Sequence, residues 1–141
     1  MSVGRICTRV VVTADAEETV AEAARRMAEH DVGTLAVMRD EAQALGIVTD
    51  RDIVLYCVAR GEDPSKVLVK QVMSGPPLLV RESAPIESAL AEMAASRVRR
   101  LLVVDDSDKL VGLLSLDDVL ELLAEESHSI GRLLAHSREG R

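Results

Sequence analysis

The sequence predicts an α/β protein that contains two tandem copies of one βαββα unit. Shifting the chain by 66 residues aligns positions 3–58 with 69–124 without a gap, and ten of the 56 pairs are identical. About three identities are expected by chance at average residue usage, so the two halves are copies of one unit. Each copy also alternates short apolar runs with segments of helical spacing, which is the second observation behind this fold class.

Each predicted copy begins with a short strand and a helix. The strands cover 10–13 and 77–80, and the helices cover about 18–30 and 85–96. Two strands and a second helix complete each copy, at 35–38, 44–48 and about 50–60, and at 101–104, 110–114 and about 116–126. We therefore expect one repeat with its linker at 1–66, a second at 67–126, and a short helix with a loose tail at 127–141.

Composition predicts an aliphatic core and argues against several classes of function. Hydrophobic residues make up 48% of the 141 residues, yet the chain has no Trp, no Phe and one Tyr. The net charge of −7 and the lack of aromatic stacking residues argue against nucleic-acid binding. No apolar run approaches the roughly 18 residues of a membrane span. Cys7 and Cys57 stand apart in apolar stretches, so we expect both to be reduced, in a cytoplasmic protein.

The second helix of each copy is more apolar than one buried stripe requires. A helix that is apolar nearly all round is normally buried on two sides. One side packs on its own sheet, and the other meets the second repeat or a partner chain. We therefore expect a homodimer, with a wide core stripe in a compact monomer as the alternative. The apolar residues are Ile53, Val54, Leu55, Tyr56 and Val58, and Val119, Leu120, Leu122 and Leu123.

The sharpest local pattern lies where the third strand meets the second helix. Both copies have a Gly, two apolar residues, a hydroxyl residue and, three positions later, an Asp: Thr49 with Asp52, and Ser115 with Asp118. A hydroxyl and free N–H groups at a helix N-terminus can bind phosphate. A carboxylate one turn into the helix can accept hydrogen bonds from the hydroxyls of a ribose. The same spacing is also close to that of a capping box, which needs no ligand.

This pattern resembles the nucleotide motif of cystathionine β-synthase (CBS) domains, and the similarity covers residues 3–124. The stretches 49–54 and 61–64 are similar to small stand-alone bacterial CBS-pair proteins, including the hypoxic response protein type. The resemblance implies two repeats packed about a pseudo-two-fold axis, as in a Bateman module, with two clefts at the interface. It also implies that Thr49 and Ser115 contact phosphate or ribose, and that Asp52 and Asp118 hold the ribose hydroxyls.

An arginine cluster follows the first helix of the second copy. Residues 98–105, which begin Val98-Arg99-Arg100, are similar to nucleotide-binding repeats of the AMP-activated kinase gamma subunit, where basic residues face phosphate. The alternative is that these arginines complement the helix dipole and remain solvated. Since Gly33 and Thr34 stand at the matching positions of the first copy, we expect chemically unequal clefts. The predicted ligand site also includes residues of the first copy: Val32, Thr34 and Arg51.

Two positions depart from the family pattern. Most CBS domains carry Pro where this chain has Ala36 and Leu102. By the resemblance, these positions lie on the adenine side of the clefts. The backbone on that side is therefore expected to differ from the family's usual form.

These features predict a non-enzymatic sensor that binds AMP, ADP or ATP and forms a homodimer. The rivals are a structural interaction module without nucleotide, and a sensor of another adenosyl ligand such as S-adenosylmethionine or NAD. No cofactor is obligatory. Mg²⁺ could accompany a nucleotide at the Asp pairs 105–106 and 117–118, although turn and cap roles are commoner for such pairs. The histidines and cysteines lack metal-ligand spacing, and no catalytic triad or P-loop is present.

Overall fold

The computed structural model describes residues 1–139, which form two α/β repeats of the predicted order. The elements of the first half are α1 (Val3–Ile6), β1 (Thr13–Asp15), α2 (Val20–His30), β2 (Thr34–Arg39), β3 (Gln43–Thr49) and α3 (Asp50–Ile53), which continues as a π-helical turn (Val54–Val58). Those of the second half are α4 (Val69–Val72), β4 (Leu79–Arg81), α5 (Ile86–Ser96), β5 (Arg100–Val104), β6 (Leu110–Ser115) and α6 (Leu116–Glu139).

Each repeat is built on a three-stranded sheet with the same strand order. The orders are β1-β2-β3 and β4-β5-β6, so the most buried strand lies in the centre. The central strand pairs parallel with the first and antiparallel with the third in both repeats. The first strand of each repeat begins two or three residues later than the sequence pattern predicts. The other four strands agree with the predicted ranges to within a residue or two.

The C-terminal segment differs from its prediction. The second helix of the second copy was expected to end near residue 126, but α6 continues without a break to Glu139. The segment 127–137 contains Leu133, Leu134, Ala135 and Arg132, which have high helix propensity, and its Ser and His side chains are exposed on the helix. The predicted short helix is therefore part of α6, and the predicted loose end at 140–141 lies outside the described residues.

The short helix α1 packs against the second repeat. Val3 is fully buried in a core with Leu101, Val103 and Leu114 of that repeat. The backbone N–H of Val3 donates to the carbonyl of Ala84 at 2.8 Å. The beginning of the chain therefore completes the core of the second half.

The helix α4 makes the reciprocal contact with the first repeat. Val69 is fully buried in the core that contains Val20 and Val37. The backbone N–H of Val69 donates to the carbonyl of Glu18, and that of Val20 donates to Val67, both at 2.8 Å. The two repeats therefore exchange their leading helices about a pseudo-two-fold axis.

The two sheets meet through a small apolar core. Ala36, Met38 and Leu102 are buried there, and Ile47 and Leu113 pack around them. Ala36 and Leu102 are fully buried, so both positions that depart from the family pattern lie between the sheets. Two bridges join the halves beside this core. Thr8 pairs with Leu113, and Ser74 pairs with Ile47.

Cys7 and Cys57 are both free cysteines. Cys57 is completely buried, and burial raises the pKa of its thiol, with the nearby acidic residues Glu62 and Asp63 raising it further. Among the described residues no helix is both long and apolar enough to cross a membrane.

The helix exchange predicts that Val3→Ala lowers the free energy of unfolding by about 2 kcal/mol, because it removes two buried methyl groups. Hydrogen exchange followed by mass spectrometry should then show the loss of protection in residues 78–104, not in 13–49. Val10→Ala is the matched control on the same segment. Val10 is 83% exposed, so its effect on stability should stay within about 0.5 kcal/mol. Equal effects of the two substitutions would contradict this role of α1.

Candidate ligand clefts

The two predicted motifs form capping boxes. The N–H of Asp52 donates to Thr49 Oγ1 at 3.1 Å, and the N–H of Thr49 donates to Asp52 Oδ2 at 2.9 Å. In the second repeat, the N–H of Asp118 donates to Ser115 Oγ at 3.1 Å, and the N–H of Ser115 donates to Asp118 Oδ2 at 3.0 Å. The capping box, which the sequence analysis gave as the alternative to a ligand site, is therefore present in both copies.

These caps leave hydrogen-bonding capacity at both junctions. Within residues 1–139, Oδ1 of Asp52 and Oδ1 of Asp118 accept no hydrogen bond. Each hydroxyl accepts one bond and keeps its own O–H as a donor. All four side chains are partly exposed. A capping role is therefore compatible with a second contact to a ligand.

A first cleft, cleft 1, lies between the two repeats and has a volume of about 220 Å³. It joins Thr49 of the first repeat to Arg99 and Arg100 of the second. Its charged lining residues are therefore basic, and Thr49 lines the same cleft as the two arginines. The remaining lining residues are Gly46, Ile47, Ser74, Pro76, Pro77, Leu78 and Val98.

A second cleft, cleft 2, is the pseudo-symmetric counterpart and has a volume of about 240 Å³. It joins Ser115 of the second repeat to Val32 and Thr34 of the first. Its charged lining residues are Arg100 and Asp117, so Arg100 contributes to both clefts. The remaining lining residues are Thr8, Val10, Val11, Val12, Gly33 and Leu113.

Strand pairing within each sheet, together with the packing of the two sheets, explains why each cleft combines residues of two repeats. Thr34 pairs with Thr49 in one sheet, and Arg100 pairs with Ser115 in the other. The start of the central strand and the end of the third strand therefore lie side by side in each repeat. Packing of the sheets then brings Arg99 and Arg100 into the cleft that contains Thr49.

Three predicted residues lie outside the cleft linings. Asp52 and Asp118 sit next to the hydroxyl residues that line the clefts, to which their caps connect them. Arg51 is exposed and lines neither cleft. From the sequence, Arg51 was expected to belong to the ligand site of the first repeat. The cationic residues that line cleft 1 are instead Arg99 and Arg100 of the second repeat.

Sequence reasoning missed the segments that cross between the repeats. Residues 8 and 10–12 line cleft 2, and residues 74 and 76–78 line cleft 1. A signal was available, because both stretches occupy matching positions just ahead of the first strands. The described residues contain no group of three or more His, Cys, Asp or Glu side chains that could hold a metal ion.

Comparison with known proteins identifies the family. The CBS domain family matches residues 3–59 and 69–125. An uncharacterized protein of Methanopyrus kandleri is 34% identical over 122 residues, which are 86% of this chain and 62% of that protein. Hypoxic response protein 1 of Mycobacterium tuberculosis is 34% identical over 110 residues, which are 78% of this chain and 76% of that protein. The chain thus spans less than two thirds of the first relative.

Solved structures show the same architecture. A crystal structure of a CBS domain pair in complex with 5′-methylthioadenosine and S-adenosyl-L-methionine superposes with a TM-score of 0.78. The sequences are 22% identical, and the match covers 89% of this chain and 98% of that chain, so the similarity concerns the fold. Together with the two family matches and the exchanged helices, this likeness leads to one conclusion. The chain belongs to the CBS domain family and forms a CBS pair, which is a regulatory, ligand-binding module.

Proposed function

We propose that this CBS pair is a sensor that binds AMP, ADP or ATP reversibly and alters a protein partner or its own assembly. The observation that supports it best is cleft 1. A hydroxyl at the end of β3 and two arginines from the other repeat line the same small cavity. A phosphate would bridge these groups and thereby link the two repeats.

The chemistry of cleft 1 suits a nucleotide. Arginine binds phosphate oxygens through parallel, charge-assisted hydrogen bonds. The free Oδ1 of Asp52 lies beside Thr49 and can accept hydrogen bonds from ribose hydroxyls. Pockets for drug-sized ligands usually measure about 300–1,000 Å³, so the cavity encloses only part of a nucleotide. The charged phosphates would lie at its edge, beside the exposed Arg99.

We further propose that the module does not turn its ligand over. The hydroxyl and the carboxylate of each motif are held against each other by the cap, and both copies have the same arrangement. Two similar sites created by duplication suit binding better than catalysis. Purified protein should therefore leave ATP intact, with Mg²⁺ present or absent.

A structural module without a nucleotide is the second candidate. The capping boxes favour it, because they satisfy the motif residues without a ligand. A sensor of S-adenosylmethionine or NAD is the third, and the adenosyl compounds bound by the related CBS pair favour it. A thermal-shift panel separates these candidates. A ligand at a hundred times its dissociation constant stabilises a protein by about 2.7 kcal/mol.

We also propose a homodimer formed through the second helices. Leu120, Leu123, Ile130 and Leu134 recur at spacings of three, seven and four residues along α6, and all are at least half exposed. The five carboxylates of residues 116–126 precede a second half that contains Arg132. Antiparallel pairing with a second copy would bury the apolar stripe and set the acidic half of one helix beside the half of the other that contains Arg132.

The first binding prediction concerns phosphate recognition. Arg99→Ala and Arg100→Ala should each weaken AMP binding by about 1.5–3 kcal/mol, the range for hydrogen bonds to charged groups, while adenosine binding changes little. Asp52→Ala should weaken AMP and adenosine alike, because both carry the ribose. Isothermal titration calorimetry measures the AMP-to-adenosine ratio for each variant. Arg25→Ala is the control, since Arg25 is an exposed arginine that lines neither cleft. An unchanged ratio in both variants would assign these arginines to the solvated surface.

The dimer gives a separate prediction. Light scattering should report about twice the chain mass of 15.2 kDa at micromolar concentration. Leu123→Glu combined with Ile130→Glu should give a folded monomer, because both side chains are exposed within one chain. Ser129→Glu adds one negative charge outside the apolar stripe of the same helix and should leave the dimer intact. A monomeric unmodified protein, with and without AMP, would refute the proposal.

A further inference from the structure

We infer that cleft 2 takes an adenosyl ligand that carries no phosphate, and that the shared Arg100 couples it to cleft 1. This inference rests on the proposed function, since it names the ligand class of the second site. The two clefts differ in the charges of the residues that line them. Cleft 1 has Arg99 and Arg100 and no acidic residue of the described chain, whereas cleft 2 has one arginine and Asp117.

The difference arises at equivalent positions of the repeat. Gly33 and Thr34 of cleft 2 correspond to Arg99 and Arg100 of cleft 1. Asp117 corresponds to Arg51, so the second repeat has an acid where the first has a base. Each of these differences between the two repeats makes cleft 2 less favourable for an anion. The duplicated fold is therefore kept while the preferred charge of the ligand changes.

A second carboxylate lies at the edge of cleft 2. A Cβ atom on Gly33 would lie 2.9 Å from Oδ2 of Asp50, so this carboxylate touches the lining. Two hydrogen bonds to neighbouring backbone groups hold Asp50 there. Its N–H donates to the Gly33 carbonyl, and its Oδ1 accepts from the N–H of Arg51, both at 2.9 Å. The equivalent residue beside cleft 1 is Leu116, which carries no charge.

These carboxylates decide which ligand chemistry is favoured. A phosphate in cleft 2 would lie near Asp117 and Asp50, and like charges repel at short range, although the exposure of both carboxylates weakens the effect. A neutral adenosine meets no such penalty. A cationic adenosyl group, such as a sulfonium, gains attraction from both acids. The free Oδ1 of Asp118 remains available to hold the ribose in either case.

Arg100 connects the two clefts because it lines both. A phosphate in cleft 1 draws its guanidinium toward that side and leaves the carboxylates of cleft 2 less compensated. Occupation of cleft 1 by AMP should therefore favour a cation in cleft 2 and disfavour a second phosphate. By reciprocity, a cation in cleft 2 should strengthen AMP binding by the same factor.

Calorimetry on the full chain tests the inference. We expect one AMP per chain. After saturation with AMP, adenosine and S-adenosylmethionine should each bind once more, and S-adenosylmethionine more tightly. Asp117→Arg should create a second AMP site and weaken S-adenosylmethionine by about tenfold or more, the scale of one charge-assisted contact. Asp117→Asn should weaken S-adenosylmethionine but leave adenosine unchanged. Asp106→Arg makes the same charge change on an exposed turn, outside both clefts, and should change neither ligand.

The outcomes separate the two proposals. Two equivalent AMP sites in the unmodified protein would overturn the ligand assignment of cleft 2 and leave the proposed function standing. An equal preference for AMP and S-adenosylmethionine at the second site would overturn it as well. No binding of any adenosyl compound to the folded protein would overturn both. Arg100→Ala should abolish the mutual effect of AMP and S-adenosylmethionine, and persistent coupling would refute the role of Arg100.

Discussion

The exchange of α1 and α4 is the constraint on which the rest of the structure depends. Val3 is buried in the core of the second repeat, and Val69 is buried in the core of the first. A unit of about 60 residues is only marginally stable alone because it buries a small share of its surface, so each half gains from the apolar helix that the other provides. The pseudo-two-fold axis is the result of this reciprocal burial.

The exchange also builds the clefts. Each leading helix is joined to its own first strand by a segment that must cross from one repeat to the other. These segments pair with β6 and β3 through Thr8 and Ser74 and so form walls at the edge of the apolar layer between the sheets. Gly46 and Gly112 lie beneath the crossings. A Cβ on Gly46 would overlap the Ser74 carbonyl oxygen, and a Cβ on Gly112 would lie 2.7 Å from Cys7 Sγ. Packing against backbone therefore requires a glycine at position 46, whatever the ligand, whereas a Cβ at position 112 would require Cys7 to shift.

Local pattern predicted the repeat, the strands and the motif residues because these depend on neighbours in sequence. Thr49 and Asp52 are three residues apart, so their mutual contact follows from helix geometry. The presence of Arg99 and Thr49 in one cleft cannot be predicted in this way, because it depends on how the two sheets pack. An amphipathic segment such as 69–72 shows that a face is buried but not in which core. The length of α6 was underestimated because polar residues favour loops and exposed helices alike.

The continuous helix α6 has a mechanical consequence. At 1.5 Å per residue its 24 residues extend for about 36 Å, and its first turn carries Asp117 and the cap of Ser115. Within one chain, Ile130, Leu133 and Leu134 in the far half of α6 are exposed. A small tilt at the cleft would therefore be amplified into a displacement of several ångströms in the far half, where the proposed dimer contact lies. The length of α6 therefore links a small change of its orientation at the ligand site to a larger change of position at its C-terminal half.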